Sequence, residues 1–332
     1  MTETSSDNKA VPSTKPVSLP KRRGLWGILI RRLFKEKPLG TVGLILVVIL
    51  ALTGIFANFL APQKAIGNSP GYNILHLPDR LTAPNAQYPL GTDHLGRDVL
   101  SRVIYGARLS MIVGLVATAI NTVISSGIGI TSAIFGGKFD LLVQRVVDAW
   151  VCFPTLVVLI TLMAIIGPGL VQLILVLGIN GGVGGIRFAR SLGYSIKENQ
   201  YIQASSAIGA RRGWIIFRHV LPNVMPMLIV LFTMGVGGNI MAEASLSFLG
   251  LGLPPPYPSW GAMISAEGRA NQLRAPWLAF FPGLALTLAI FGINMLGDAL
   301  RDLLDPRLRG GLGSYRIQDM EKFRKKHLKQ TA

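Results

Sequence analysis

A chain of 332 residues that is half hydrophobic and only 15% charged lies well outside soluble globular composition, which runs near a quarter charged. Its apolar residues fall in long blocks and not at alternating or 3.6-residue positions, which excludes a soluble domain. The formal charge of +17 would suit a nucleic-acid partner, but with a cytoplasmic N-terminus 26 of the 33 Lys and Arg lie on the inner side of the predicted spans. Retention of basic residues on that side accounts for the charge, so no nucleic-acid binding is expected.

In chain order, residues 1–20 are Ser, Thr, Lys and Pro with little to bury, and are predicted to form a disordered tail. Residues 21–37 set Arg22, Arg23, Arg31, Arg32 and Lys35 around Leu25, Trp26, Ile28, Leu29, Leu33 and Phe34. That pattern predicts an amphipathic segment on the cytoplasmic membrane surface. Pro38 opens a first span over 38–60, where a missing N–H costs least. Its length and the long basic leader favour a retained anchor over a signal peptide.

A hydrocarbon core near 30 Å thick needs roughly 20 apolar helical residues. Six blocks qualify, at about 39–60, 109–134, 149–166, 169–187, 223–246 and 278–298. The expected fold class is therefore all-α integral membrane, with six transmembrane helices. An extracytoplasmic loop at 61–105, a core of five spans within 106–300 and a basic cytoplasmic tail at 301–332 complete the plan. Gly178/Gly182 and Gly181/Gly185 in GINGGVGG suit either close helix approach or a bend. Cys152 is the only cysteine, expected within the third span as a small apolar residue, and no intrachain disulfide is possible.

No GxxxxGK[ST] run is present, and His76, His94, His219 and His327 have no metal-ligand spacing. Neither an enzyme, a bound cofactor nor a metal centre is expected. Asp93, His94 and Asp98 read as a hydrogen-bonded loop in preference to a zinc site. Within the apolar stretches Glu243 stands out, as a wetted or arginine-paired helix-end acid or as a group along a substrate path. Asn239 and Asn121 suit interhelical hydrogen bonding, Asn239 being a second candidate for the path. Asp148 and Asp298 lie near inner span ends.

The longest inner connector, about 36 residues, joins the fourth and fifth blocks and contains YIQASSAIGARRGWIIFRHVLP. Asn199 to Ala210 can form three helical turns, with Tyr201, Ala204, Ser205 and Ile208 on one face. Gly209 allows an abrupt exit, and Pro222 starts the fifth span after Trp214-Ile215-Ile216-Phe217. Such a helix either simply joins two spans or acts as a lever that a soluble partner grips.

Gln203-Ala204-Ser205, then Gly209, then Leu221-Pro222 resembles the EAA–Gly–Leu-Pro motif of ABC importer inner-membrane permeases, with Gln for the usual Glu and Ser for the second Ala. PLGTDHLGRDVLSRVIYGARLS (89–110), DAWVCFP (148–154), EASLSFLGLG with PSWG (243–261) and FPGLALTLAIFGINMLGDALRDLLDPR (281–307) look like the dipeptide/oligopeptide C-type branch. The resemblance covers roughly residues 22–310. It implies a type I permease in a bacterial or archaeal cytoplasmic membrane, paired with a second homologous permease subunit as a heterodimer. Two ABC ATPase subunits, which use ATP and Mg, and an extracytoplasmic solute-binding protein would complete the importer.

The same resemblance makes 199–213 a coupling helix. Tyr201, Gln203, Ala204, Ser205 and Ile208 would meet the ATPase, together with Gly209, Ala210, Arg211, Leu221 and Pro222. Peptides are the expected cargo, although nickel complexes, glutathione and oligosaccharides pass through similar permeases. The alternative is an ion-coupled secondary transporter, which needs buried carboxylates or discontinuous helices. Only Glu243 and the glycine cluster hint at either.

Overall fold

The computed structural model describes residues 32–63 and 70–304. The expected tail at 1–20, all of the amphipathic segment before Arg32, and the basic tail from 305 onward lie outside the described residues. Every regular element among the described residues is helical. In chain order the helices are α1 (Pro38–Ile55), a one-turn α2 (Ala57–Leu60), α3 (Val99–Phe135), α4 (Gly137–Val151), α5 (Thr155–Ile166) and α6 (Leu170–Lys197). They continue with α7 (Gln200–Ala207), a one-turn α8 (Arg212–Ile215), α9 (Leu221–Phe248), a short α10 (Trp260–Ala262) and α11 (Trp277–Leu304). Among the described residues five helical stretches are long and apolar enough to cross a membrane, and the bent pair α4–α5 makes up to six.

The third span differs from its expectation. The chain breaks at Cys152–Pro154, and α4 and α5 meet at 86°. Pro154 lacks the N–H that a continuous helix would use, and its ring crowds the preceding turn. Cys152 consequently sits at an exposed break and not inside a span. The second span also starts earlier than its apolar run, at Val99, because the Asp98 carboxylate accepts from Ser101 N at 2.9 Å and caps the helix. The fifth begins at Arg212 and runs through a π-helical turn at Ile216–Val220 into α9. Pro222, the second residue of α9, has no N–H to give the preceding turn, and a local π adjustment is one way such freed carbonyls are satisfied.

α3 and α6 form the most extensive helix pair. A Cβ on Gly178 would stand 2.8 Å from Ile120, one on Gly182 2.8 Å from Ile124, and one on Gly193 2.8 Å from Ala133. The glycine stripe thus serves close approach, and α6 continues unbroken through it. Around this pair, Val113 and Ala117 of α3, Leu159 and Met163 of α5, Leu173 and Leu177 of α6 and Leu246 of α9 form the largest apolar core.

α1 packs on α11, and its last carbonyls are bound from α3. Arg108 Nε donates to Gly54 O at 2.7 Å and Nη2 to Ile55 O at 3.0 Å. This puts a cation at a helix C-terminus, the favourable end of the dipole. At the same end of the bundle the 70–98 segment folds on itself. Asp93 receives Arg97 Nε at 2.6 Å, and Trp277 Nε1 donates to Thr92 O at 3.2 Å. The acids near His94 therefore hold the loop together, and no cluster of three metal-ligating side chains occurs among the described residues.

Candidate functional site: the connector between α6 and α9

The connector projects from the opposite end of the bundle. Its helix α7 is shorter than its sequence suggests, because both ends are fixed by special residues. Asn199 has extended backbone and cannot be a helical turn, while its Nδ2 donates to Ile196 O at 3.0 Å and satisfies an α6 carbonyl. Gly209 takes φ +85°, the left-handed region that glycine enters without Cβ strain. Ala210 N then bonds Ser205 O at 3.1 Å and closes the helix.

The anchor is Ile202, a residue the sequence reading did not single out. It is 3% exposed and packs with Ile130 and Ile134 of α3, Ile215 of α8, Val220, and Val224 and Leu228 of α9. The sequence carries a clue: six residues separate Ile202 from Ile208, roughly 120° around a helix of 3.6 residues per turn, so the two cannot share one core-facing stripe. Ile208 is 87% exposed and stands one residue past the helix end. It therefore does not share a helical face with Tyr201, Ala204 and Ser205.

Of the other candidates, Tyr201, Gln203, Ala204, Gly209, Arg211 and Pro222 are exposed, and Ser205, Ala210 and Leu221 are half-buried. Ala210 and Leu221 pack against the apolar cluster beneath α7. Trp214 and Phe217 are further exposed aromatic side chains on the same connector. The His219 ring locks these pieces together, edge-on to Trp214 at 4.7 Å and to Tyr201 at 6.0 Å. The connector is a firm platform with apolar side chains standing out from it.

Its footing is polar and joins three helices. Arg190 on α6 donates to both carboxylate oxygens of Asp140 on α4, Ser132 of α3 donates to the same carboxylate, and Tyr194 OH donates to it at 3.0 Å. Lys197 Nζ donates to Ala133 O at 2.7 Å, and the Arg212 guanidinium stands 5.2 Å from the Phe135 ring centre. Any displacement of α7 is thereby felt by α3, α4, α6 and α9 together. Asp140 and Arg190 were legible as charges beside apolar runs, the usual flag for function or pairing.

Glu243 and Asn239 lie elsewhere, enclosed between α3 and α9. Glu243 is fully buried and accepts from Ser247 and Ser259 at 2.8 Å each, and from Ser110 at 3.5 Å. It is neither a wetted helix-end acid nor the partner of an arginine among the contacts described; serine hydroxyls hold it. Asn239 Nδ2 donates to Thr118 Oγ1 at 2.8 Å, an interhelical bond as expected. Asp148 pairs with Arg187, and Asp298 is exposed.

Residues 125–310 match the family model described as the binding-protein-dependent transport system inner membrane component, and residues 24–79 match the N-terminal transmembrane domain of oligopeptide transport permease C. The first match contains the connector, its footing and Glu243. The chain belongs to this permease family. It is 38% identical to the dipeptide transport system permease of Alkalihalophilus pseudofirmus, over 86% of this chain and 90% of that one. It is 36% identical to the glutathione transport system permease of Escherichia coli, over 91% and 96%, and to that of Shigella boydii over the same shares. The permease assignment decides between the two transport readings, even though the structure supplies the discontinuous helix that an ion-coupled transporter would also use.

Proposed function

We propose that this permease is one of two non-identical transmembrane subunits of a peptide importer, with the connector as its contact to a cytoplasmic ATPase. The observation that carries the reading is the division of the connector into a buried anchor, Ile202, and an exposed apolar projection around Ile208. A solvent-facing loop has no use for Tyr201, Ile208, Trp214 and Phe217 together in water, whereas a groove on a soluble partner does. The polar footing then carries the partner's motion into the spans, as rigid-body alternating access requires. ATP and Mg act on the ATPase subunits, and a solute-binding protein delivers cargo at the opposite end.

In this reading the connector end faces the cytoplasm, with both termini on that side, since the basic residues concentrate there. Gln203 and Ser205 present neutral side chains where the family motif has Glu and Ala, so docking there rests on shape and apolar contact. Glu243 and Asn239 serve the translocation path by holding its α3–α9 wall. The two relatives named for dipeptides and glutathione point to short peptides as cargo.

The test is reconstitution of the permease with its second subunit, ATPases and binding protein in liposomes. Uptake of labelled dipeptide or glutathione should need ATP and ignore a proton ionophore. Uptake that persists without ATP and collapses with the ionophore would refute the proposal.

A further inference from the structure

The third span is interrupted at a depth where lipid cannot solvate backbone. Two separate rulers set that depth. α5 has 12 residues between the break and the Gly167–Gly169 turn, about 18 Å at 1.5 Å per residue. On the neighbouring helix Trp150 Nε1 donates to Asn180 Oδ1 at 3.1 Å, and Asn180 lies ten residues into α6, about 15 Å from the same turn. Against a hydrocarbon core near 30 Å thick, both rulers put Cys152–Pro154 near its middle.

There the break leaves backbone groups without helical partners. No side chain caps the start of α5, so its first-turn N–H groups have no acceptor within the helix, although at the end of α4 Asp148 O accepts from Cys152 N at 3.2 Å and Trp150 O from Phe153 N at 3.4 Å. Every residue from 151 to 157 is exposed on the subunit. Irregular backbone at membrane depth persists only inside protein or beside water.

The neighbouring charges choose between those two. The Asp148–Arg187 pair on the same side of the bend has side chains 44% and 49% accessible. Arg187 lies 17 residues into α6, about 26 Å from the turn and still within the hydrocarbon thickness. Arg187 can reach the inner interface from there, but Asp148 stands only four residues before Cys152, and an accessible charge so close to the break needs water, because lipid and dry interfaces both leave it poorly solvated.

We infer that the Val151–Val157 break and the Asp148–Arg187 pair line the aqueous conduit of the assembled permease, as a mid-membrane section past which cargo moves. The inference rests on the permease reading, and its test keeps the two apart. Cys152, the only cysteine, is itself exposed in the break and serves as the probe without any substitution. The complete importer in liposomes is treated with a charged methanethiosulfonate and, separately, with a neutral membrane-permeant maleimide, and modification is read by intact mass. Cys152→Ser gives the zero, and Thr155→Cys in that background gives a second probe.

The charged reagent should modify both positions, at rates that differ severalfold between ATP-free and ATP-bound importer. Modification by the neutral reagent alone, or by neither, would place the break away from bulk water, against lipid or in a dry contact where a thiol stays protonated and reacts slowly; either result overturns the inference. ATP-dependent uptake is measured on the same liposomes. Uptake without charged labelling defeats the conduit alone, and labelling without uptake defeats the importer reading while leaving the wet break standing.

Discussion

Arg190 on α6 reaches both carboxylate oxygens of Asp140 on α4, through Nε and Nη2 at 2.6 Å each. This fork is the strongest polar tie under the connector, since two parallel charge-assisted bonds fix direction as well as distance. Arg190→Ala leaves a mostly buried carboxylate with only Ser132 and Tyr194 as donors. The expected loss is on the order of 3 kcal/mol, the low end for removing one partner of a buried pair because the arginine is partly solvated. Arg190→Lys keeps the charge without the fork and should lose about half of that. Thermal unfolding of the purified permease in detergent measures both, and equal melting of Arg190→Ala and wild type would show that the fork does not bear on stability.

Ile202 and Ile208 separate folding from coupling. Truncating buried Ile202 to Ala opens a cavity among α3, α8 and α9 and should cost about 2–4 kcal/mol. Ile208 is almost fully exposed, so Ile208→Glu should leave stability within about 0.5 kcal/mol. In the reconstituted importer the same Ile208→Glu substitution should abolish cargo-stimulated ATP hydrolysis and uptake, while membrane insertion and melting stay normal. Full uptake by Ile208→Glu would remove the docking role from this side chain.

Gly209 has open space where a Cβ would stand, so substitution there acts through the backbone alone. At φ +85° an alanine carries a left-handed penalty of about 1–2 kcal/mol. That is enough to relax the end of α7 but not to unfold the bundle. Gly209→Ala and Gly209→Asp should therefore both insert normally and lower coupled uptake, the aspartate more because it adds charge beside Ile208. Circular dichroism shows whether the spans survive, and uptake shows whether the lever does.

The spans, their number and the connector were legible in the sequence because hydropathy and length are properties of local composition. Gly209 and Asp98 are legible in kind, through left-handed and capping preferences, whereas the apolar run alone starts α3 too late, beyond the Asp98 cap. The break at Cys152–Pro154 was not, since the flanking apolar residues extend smoothly across it and Pro154 could equally have opened a straight span. The glycine stripe of α6 was ambiguous for a related reason. Its outcome depended on Ile120 and Ile124 lying opposite, and pairing between distant segments leaves no trace in a single sequence. The Asp140–Arg190–Tyr194–Ser132 group is of the same kind, assembled from three helices.

Gly182 measures how tightly that stripe is closed. A leucine there would drive its Cβ to 2.8 Å from Ile124 and push further atoms into α3. Overpacking of this kind costs about 1–3 kcal/mol when neighbours can shift, and more here because α3 and α6 are in contact along their length. Gly184, with nothing within 4 Å of its Cβ position, is the control on the same helix. Gly182→Leu should lower the melting temperature sharply and Gly184→Leu should not. Similar melting of the two would mean that α3 and α6 are not held so closely in the membrane.

Glu243 offers the sharpest contrast between shape and charge. Ser247 and Ser259 both donate to one carboxylate oxygen at 2.8 Å, and Ser110 approaches the other at 3.5 Å. These donors tie α3, α9 and the segment before α10 around a single acceptor, so the acceptor matters more than the charge. Glu243→Gln keeps an amide oxygen for Ser247 and Ser259 and turns a donor toward Ser110, whose hydroxyl can rotate to accept. It should change stability by no more than about 1 kcal/mol and preserve uptake. Glu243→Leu fills the same space but strands three buried hydroxyls, each at about 1–3 kcal/mol if unpaired, and should unfold the α9–α10 region first. If Glu243→Gln instead stops uptake with its melting unchanged, the carboxylate acts on cargo or protons in the path, and the tie alone is not its function.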